Sequence, residues 1–395
     1  MSEMAAGPAS APDEVHVSGE PVRRIPGDAA RKPQPGIALC LSGGGYRAMV
    51  FHVGVLWRLN EAGMLPELKR VSSVSGGSIT AGVLGMKWNE LQFDQAGVAK
   101  QFVYQVVDPI RAMASTHVDL PAVLTGIGLP FTSVADRVVR ALRKHLFGQT
   151  TLQGLPDKPT FVINATNVES GVLMRFSKQY LADYRVGRIN NPELPLAVAV
   201  AASSAFPPIL SPCTVDLDRE EWITQPGNDL TSPEFRNEIR LSDGGVYDNL
   251  GLETVWKRYE TVLVSDAGGH LGAVADPPVD WARHTIRVLK VIDNQVRSLR
   301  KRQVIDAFRN NRPGMYVGIR SHVDDFPLAD PLPSDPAVAA RLAGIPTRLN
   351  AMDDDVQEQL INWGYVICDT GLRAHLGKPP GDGTLPYPDN PLTKL

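Results

Sequence analysis

Two short runs of small residues carry the chemistry that this sequence can be read for. One is Ser42-Gly43-Gly44-Gly45, and the other is Ser73-Val74-Ser75-Gly76-Gly77. A serine on a sharp strand-to-helix turn can act as a nucleophile if the positions two before and two after it are small, as in G-x-S-x-G. Ser75 meets that condition, with Gly77 after it and Ser73 in place of the leading glycine. A helix N-terminus at Ser75 would also favour developing negative charge. Consecutive glycines let backbone N–H groups converge on one concavity, which suits a phosphate or an oxyanion. Neither G-x-x-x-x-G-K-[ST] nor G-x-G-x-x-G is completed here. With a serine elbow one strand away, an oxyanion hole at Gly43, Gly44 and Gly45 is the better reading. The plain alternative is a glycine turn needed only for tight helix–strand packing. Arg47, on the first turn of the next helix, can hold a substrate phosphate or carboxylate, or pair with a surface acid.

A serine nucleophile needs a base, and two aspartates end predicted strands: Asp243 in SDGGVYDN and Asp266 in SDAGGH. The order Ser75, Asp243, His270 would also suit a Ser-Asp-His triad. Spacing alone does not choose. None of the eight histidines sits in a turn as distinctive as the glycine loops, which favours a Ser–Asp dyad.

The elements that must position these residues follow from periodicity. Residues 37–41 and 71–74 are apolar, β-prone runs, and a helical pattern over 46–62 joins them, stopping at Gly63. A second helix runs from Gly77 to about Trp88. This is a βαβ unit with parallel strands, so both turns leave the same carboxyl edge. Neighbouring strands lie about 4.8 Å apart, and ligands of open α/β sheets bind at that edge. Further strands are predicted at 160–164, 172–177, 239–241 and 260–265, and further helices at 194–202, from near Leu250, at 285–310 and at 353–376. Gly364 and Gly371 inside the last helix imply close approach to another backbone. Residues 213–240 read as a loop or hairpin insert. Residues 1–35, rich in Ala, Pro, Ser and charge, read as disordered or loosely attached. Residues 36–395 read as a single α/β domain with helical inserts and C-terminal helices.

Bulk properties narrow the classes. The 395-residue chain is 43% hydrophobic with a net charge of −3, so it can bury a sizeable core and offers no whole-chain attraction to nucleic acid. Three scattered cysteines make neither a disulfide framework nor a zinc site. A cytoplasmic location is expected, and the chemistry above calls for no metal or other cofactor. The first residues lack the basic and apolar regions of a secretory signal, and no apolar run reaches about 18 residues. Any membrane contact is therefore expected to be peripheral. Residues 109–147, apolar and then basic-amphipathic with Val134, Val138, Leu142 and Leu146 on one stripe, are the candidate lid or lipid contact. The alternative is a surface helix packed on the domain. Leu289, Ile292, Val296 and Leu299 have heptad-like spacing, and the SLRKR segment at 298–302 reads as a solvated face rather than a nucleic-acid patch.

SGGGYRA, SVSGGS and SDGG, in this order, resemble the patatin-like phospholipases and the related cytosolic phospholipase A enzymes. The resemblance also covers AVAASSAFPPI at 199–209, and its motifs lie within 37–84 and 195–270. It differs at Ser73, where patatins usually carry glycine. It implies a three-layer α/β/α fold around a mainly parallel sheet. It implies a Ser–Asp dyad without histidine, with Ser75 as nucleophile, Asp243 as base, Gly43, Gly44 and Gly45 as oxyanion loop, and Arg47 at the basic position after that loop. The implied substrate is a phospholipid or other lipid ester. An acyltransferase, or a non-catalytic lipid-binding protein on the same fold, would share these features.

Overall fold

The computed structural model of the chain describes residues 32–118, 134–377 and 383–393. Strand β1 (Gln34–Leu41) and strand β2 (Leu68–Val74) are parallel neighbours joined by helix α1 (Gly45–Glu61), and β2 turns into α2 (Gly76–Lys87). Their register pairs Leu41 with Ser73, so the two small-residue turns emerge side by side, as the sequence predicts.

The central strands extend this unit in both directions. Beyond β2 lies β3 (Thr160–Asn167), and beyond β1 lie β10 (Tyr259–Asp266) and β11 (Gly314–Gly318), all parallel. The β3 side then continues antiparallel through β4 (Val172–Phe176), β5 (Tyr180–Asp183), β6 (Gly187–Asn190) and β8 (Trp222–Ile223). Strand β7 (Cys213–Asp216) pairs with β9 (Glu238–Asp243), and β9 pairs antiparallel with the far end of β3. The predicted insert at 213–240 is thus a small extension of the sheet itself. The helix expected from Leu250 is instead a four-residue helix at Gly245–Asp248.

Alternation along β1 shows the layers. Leu39 and Leu41 point into a large core shared with α1 and α2, while Ala38 and Cys40 point into a smaller one with Leu250, Leu252 and Val255. A strand covered on both faces reads as a continuous apolar run, as 37–41 does. The fold is therefore a mixed α/β architecture with a central, mainly parallel sheet flanked by helices.

Four further helices matter below: α3 (Val134–Leu142), α4 (Leu196–Ser203), α5 (Trp281–Arg309) and α6 (Asp354–His375). Helix α6 packs along α1 in the large core. A Cβ on Gly364 would overlap the Phe51 carbonyl, which is the close approach to a backbone that the sequence implies, whereas one on Gly371 would meet the Val317 side chain at 2.5 Å rather than a backbone. In helix α3 two residues of the predicted stripe, Val138 and Leu142, are buried in the core and Leu146 packs against it, so this part of the expected lipid contact is covered by the chain itself. Residues 119–133 of that candidate segment, and residues 1–31 of the N-terminal segment, lie outside the described residues. Among the described residues no helix is long and apolar enough to cross a membrane.

Candidate active site

Ser75 sits where β2 ends and α2 begins, with φ 51° and ψ −122°. A positive φ is rare for a residue bearing a Cβ and costs of order 1–3 kcal/mol, so the surrounding structure must impose it. The imposed contacts are specific. The Ser75 N–H donates to Ser203 Oγ at 2.9 Å, and Ser203 Oγ donates to the Asn164 carbonyl at 2.6 Å. A Cβ on Gly77 would lie 2.5 Å from the Leu41 carbonyl, and one on Gly76 would overlap the Gly45 carbonyl. The elbow is thus wedged against the glycine turn, and only glycine leaves room at both positions. Ser73 fits without glycine's space: its hydroxyl accepts from Ser78 Oγ at 3.0 Å, and Ser78 Oγ lies 2.9 Å from Ser203 Oγ. Ser203, inside the AVAASSAFPP block, is a positioning residue that the sequence reading missed. Its type and its place at the end of an apolar helix were visible, but its partner across β3 was not.

Asp243 ends β9 and is almost fully buried. The pairing of β9 with the overrun of β3 sets Asp243 opposite Ala165, one strand from β2. Its carboxyl lies close enough to the Ser75 hydroxyl to be influenced by it, and Oδ1 accepts from the Gly245 N–H at 2.7 Å. Burial pushes this carboxyl up to about 7, against the downward pull of the Gly245 amide and the Ser75 hydroxyl.

The glycine loop faces Ser75: a Cβ on Gly43 would stand 3.1 Å from Ser75 Cβ. The Gly43 N–H is engaged with the Asn249 carbonyl at 3.1 Å, whereas those of Gly44 and Gly45 meet no acceptor among the described residues. Gly44 has φ 147°, and a Cβ there would lie 2.5 Å from the Ala267 carbonyl. Asn249 is a second residue that the sequence reading missed. Its side-chain oxygen lies 2.7 Å from where a Cβ would stand on Gly43 and equally on Gly245, so it joins the glycine loop to the aspartate turn.

Three expected candidates lie elsewhere. Arg47 is buried, with Nη1 donating to the carbonyls of Ala343 and Ile345 at 2.8 and 2.7 Å and Nη2 to that of Ala267 at 2.7 Å. Its guanidinium ties α1 to the C-terminal segment, so the substrate-binding expectation is corrected to a structural clamp. Burial lowers its proton affinity to about 10. Asp266 accepts from the Gly268 N–H and the Tyr316 hydroxyl, at 2.8 and 2.6 Å. His270 is exposed and shares a separate cleft with Asp266, Arg297 and Tyr316. The histidine nearest in sequence to the glycine loop, His52, is buried between Ser265 Oγ and the Ser42 carbonyl, and burial lowers it to about 4.

The arrangement therefore holds a strained serine, a buried carboxyl and two free loop amides at one sheet edge. No curated protein matches the chain. Among solved structures it is similar to human GIVD cytosolic phospholipase A2, at 13% identity and TM-score 0.46, covering 85% of this chain and 61% of that one. The same human enzyme in complex with methyl γ-linolenyl fluorophosphonate gives 16% identity and TM-score 0.49, covering 85% and 57%. VipD from Legionella pneumophila gives 17% identity and TM-score 0.33, covering 88% and 68%. The chain thus spans about six-tenths of the length of the human structures. The model of the patatin-like phospholipase family matches residues 39–256, more than half of the chain and the whole stretch from the glycine loop through Ser75 to Asp243. The chain belongs to the patatin-like phospholipase family.

Proposed function

We propose that the protein is a serine acyl hydrolase of phospholipids or related lipid esters, working through a Ser75–Asp243 dyad. Asp243, ionised, takes the proton from Ser75 Oγ as the oxygen attacks the ester carbonyl carbon. The resulting oxyanion is held by the loop at residues 43–45, chiefly by the amides of Gly44 and Gly45, and the N-terminus of α2 adds its dipole. The tetrahedral intermediate collapses. The C–O bond to the alcohol breaks, and that oxygen leaves with the proton from Asp243. A water then gives its proton to Asp243 and attacks the acyl-enzyme carbonyl. The fatty acid is released and the proton returns to Ser75.

The observation that carries this reading is the placement of a strained serine beside a buried carboxyl that burial has raised to about 7 and that the Ser75 hydroxyl pulls down. A base with that proton affinity can take a proton and return it near neutral pH. Family membership supplies the lipid class, and no histidine among the described residues competes for the role. The test is to incubate a mixed phospholipid extract with the wild type and with Ser75→Ala and to identify products by mass spectrometry. Fluorophosphonate labelling is followed in parallel. Free fatty acid and Ser75 labelling are expected for the wild type, with turnover in Ser75→Ala lower by roughly three orders of magnitude or more. Equal turnover by the variant would refute the proposal.

A further inference from the structure

Among the described residues, helix α5 leaves one face without a protein neighbour. Near its C-terminal end, Val304, Ile305 and Phe308 join the smaller core. Upstream, Trp281, Val288, Leu289, Ile292, Val296 and Leu299 fall within about 100° of one another around the helix axis. All six are exposed, from 38% at Val296 to 84% at Trp281. Single apolar side chains on a surface are ordinary, but a stripe of six along one helix marks an interaction face.

Charge says what covers it. Helix α5 carries eight arginines and lysines against two aspartates. Arg283, Arg297 and Arg300 pair with Asp280, Asp293 and Glu253. Arg287, Lys290, Lys301 and Arg302 have no carboxylate partner among the described residues. A second copy could pair with the stripe through its heptad-like spacing. These cations lie off the stripe around the helix, the arrangement of an interfacial helix whose apolar face enters the acyl boundary while its polar face meets anionic headgroups.

Position adds the third argument. Arg297 Nη1 donates to the Gly269 carbonyl at 2.7 Å, which fixes α5 over the turn that follows β10. A Cβ on Gly268 would stand 3.1 Å from Arg297 Nη1 and 2.8 Å from Nδ2 of Asn249, the residue that joins the glycine loop to the aspartate turn. Val246, three residues past Asp243, is half exposed, and so is Phe206, next to the Ala205 whose carbonyl accepts the Asp243 N–H.

We propose that the apolar stripe of α5 is the face by which this protein docks on an anionic lipid surface, with the Ser75 site at its edge. The purpose of the docking rests on the lipid-hydrolase reading, but the docking itself is measurable without turnover. The full chain carrying Ser75→Ala is sedimented with vesicles of phosphatidylcholine alone and of phosphatidylcholine with phosphatidylglycerol. Binding is expected to favour the anionic vesicles by about tenfold or more and to weaken with salt. Adding Leu289→Asp and Ile292→Asp, both on exposed positions, is expected to cut that binding by about tenfold or more with an unchanged circular dichroism spectrum. Undiminished binding by this variant would overturn the proposal. So would a wild-type dimer in light scattering that the two substitutions convert to monomer while vesicle binding persists, since the stripe would then belong to a second copy. Loss of serine chemistry alone leaves the vesicle result unchanged, so the two proposals fail separately.

Discussion

Asp243 gains its proton affinity by being out of water, and it is held there by the fold at a cost. Its carboxyl titrates at about 7 rather than at the ordinary 3.8. Because the proposed dyad needs it ionised, kcat/KM on a soluble ester is expected to climb as pH rises through about 7 and then level off. A flat profile between pH 5 and about 9 would contradict a carboxylate base at this site. The same shift has the opposite sign for stability. The folded state holds a proton that the unfolded chain releases, so stability falls as pH rises from 3.8 to about 7 and stays reduced above that. The cost is roughly 4 kcal/mol, as an order of magnitude. Asp243→Asn removes the buried charge. At pH 8 the variant is expected to be inactive yet to unfold at a higher urea concentration than the wild type, and a lower midpoint would argue against a desolvated carboxyl.

At the scale of elements, the elbow depends on neighbours as much as on its own pentapeptide. In the G-x-S-x-G form the leading glycine relieves crowding around the strained serine. Here Ser73 replaces it and makes use of its hydroxyl, in a chain that runs through Ser78 to Ser203 and so to the Ser75 N–H. Ser73→Gly is therefore expected to keep activity within a few-fold while losing about 1 kcal/mol of stability, from one hydrogen bond and a more flexible unfolded chain. Urea unfolding and ester kinetics on the same preparation check both halves. Loss of activity by two or more orders of magnitude would mean that Ser73 has a direct part in the chemistry. The elements themselves were largely legible. Paired apolar runs ending in small residues announced β1 and β2, and helical periodicity announced α1, α2, α5 and α6. Strand β11 was missed because GMYVG is five residues long with glycine at both ends, and its strand character comes from pairing with β10. The placement of Asp243 beside Ser75 followed from the resemblance but not from spacing, because an antiparallel strand placed on the overrun of β3 leaves no periodic signal.

Across the whole molecule, the segments beyond the matched family region are built into the site's frame. Arg47 clamps residues 343 and 345 to the turn after β10, and the Tyr46 N–H donates to the Arg348 carbonyl at 3.0 Å. Along the α1–α6 interface, Arg58 Nε and Nη2 both donate to Asp369 Oδ1 at 2.9 Å, with both side chains about 2% exposed. Arg58 Nη1 also pairs with Glu61 at 3.1 Å and Arg373 reaches Asp369 Oδ2 at 3.4 Å, so the pair sits in a network. Because Glu61 still faces the guanidinium, Asp369→Ala is expected to lose about 1.5–3 kcal/mol in urea unfolding, the range for hydrogen bonds to charged groups. A loss below about 0.5 kcal/mol would show that water reaches the pair.

The sequence by itself determined the chemistry on offer: a serine at a strand-to-helix turn, a glycine loop on the neighbouring strand and an aspartate at a later strand end. These are local features, fixed by residue type and by periods of two and 3.6. Only the tertiary structure decided which groups meet. Asp243 rather than Asp266 reaches Ser75, because β9 lies against β3 on the elbow's side while β10 lies two strands away across β1. Arg47 turns into a clamp because the 343–348 segment covers it, and the stripe on α3 packs against the core while, among the described residues, the one on α5 is uncovered. Burial and partnership depend on what the rest of the chain brings alongside, and that is a long-range property which no local pattern encodes.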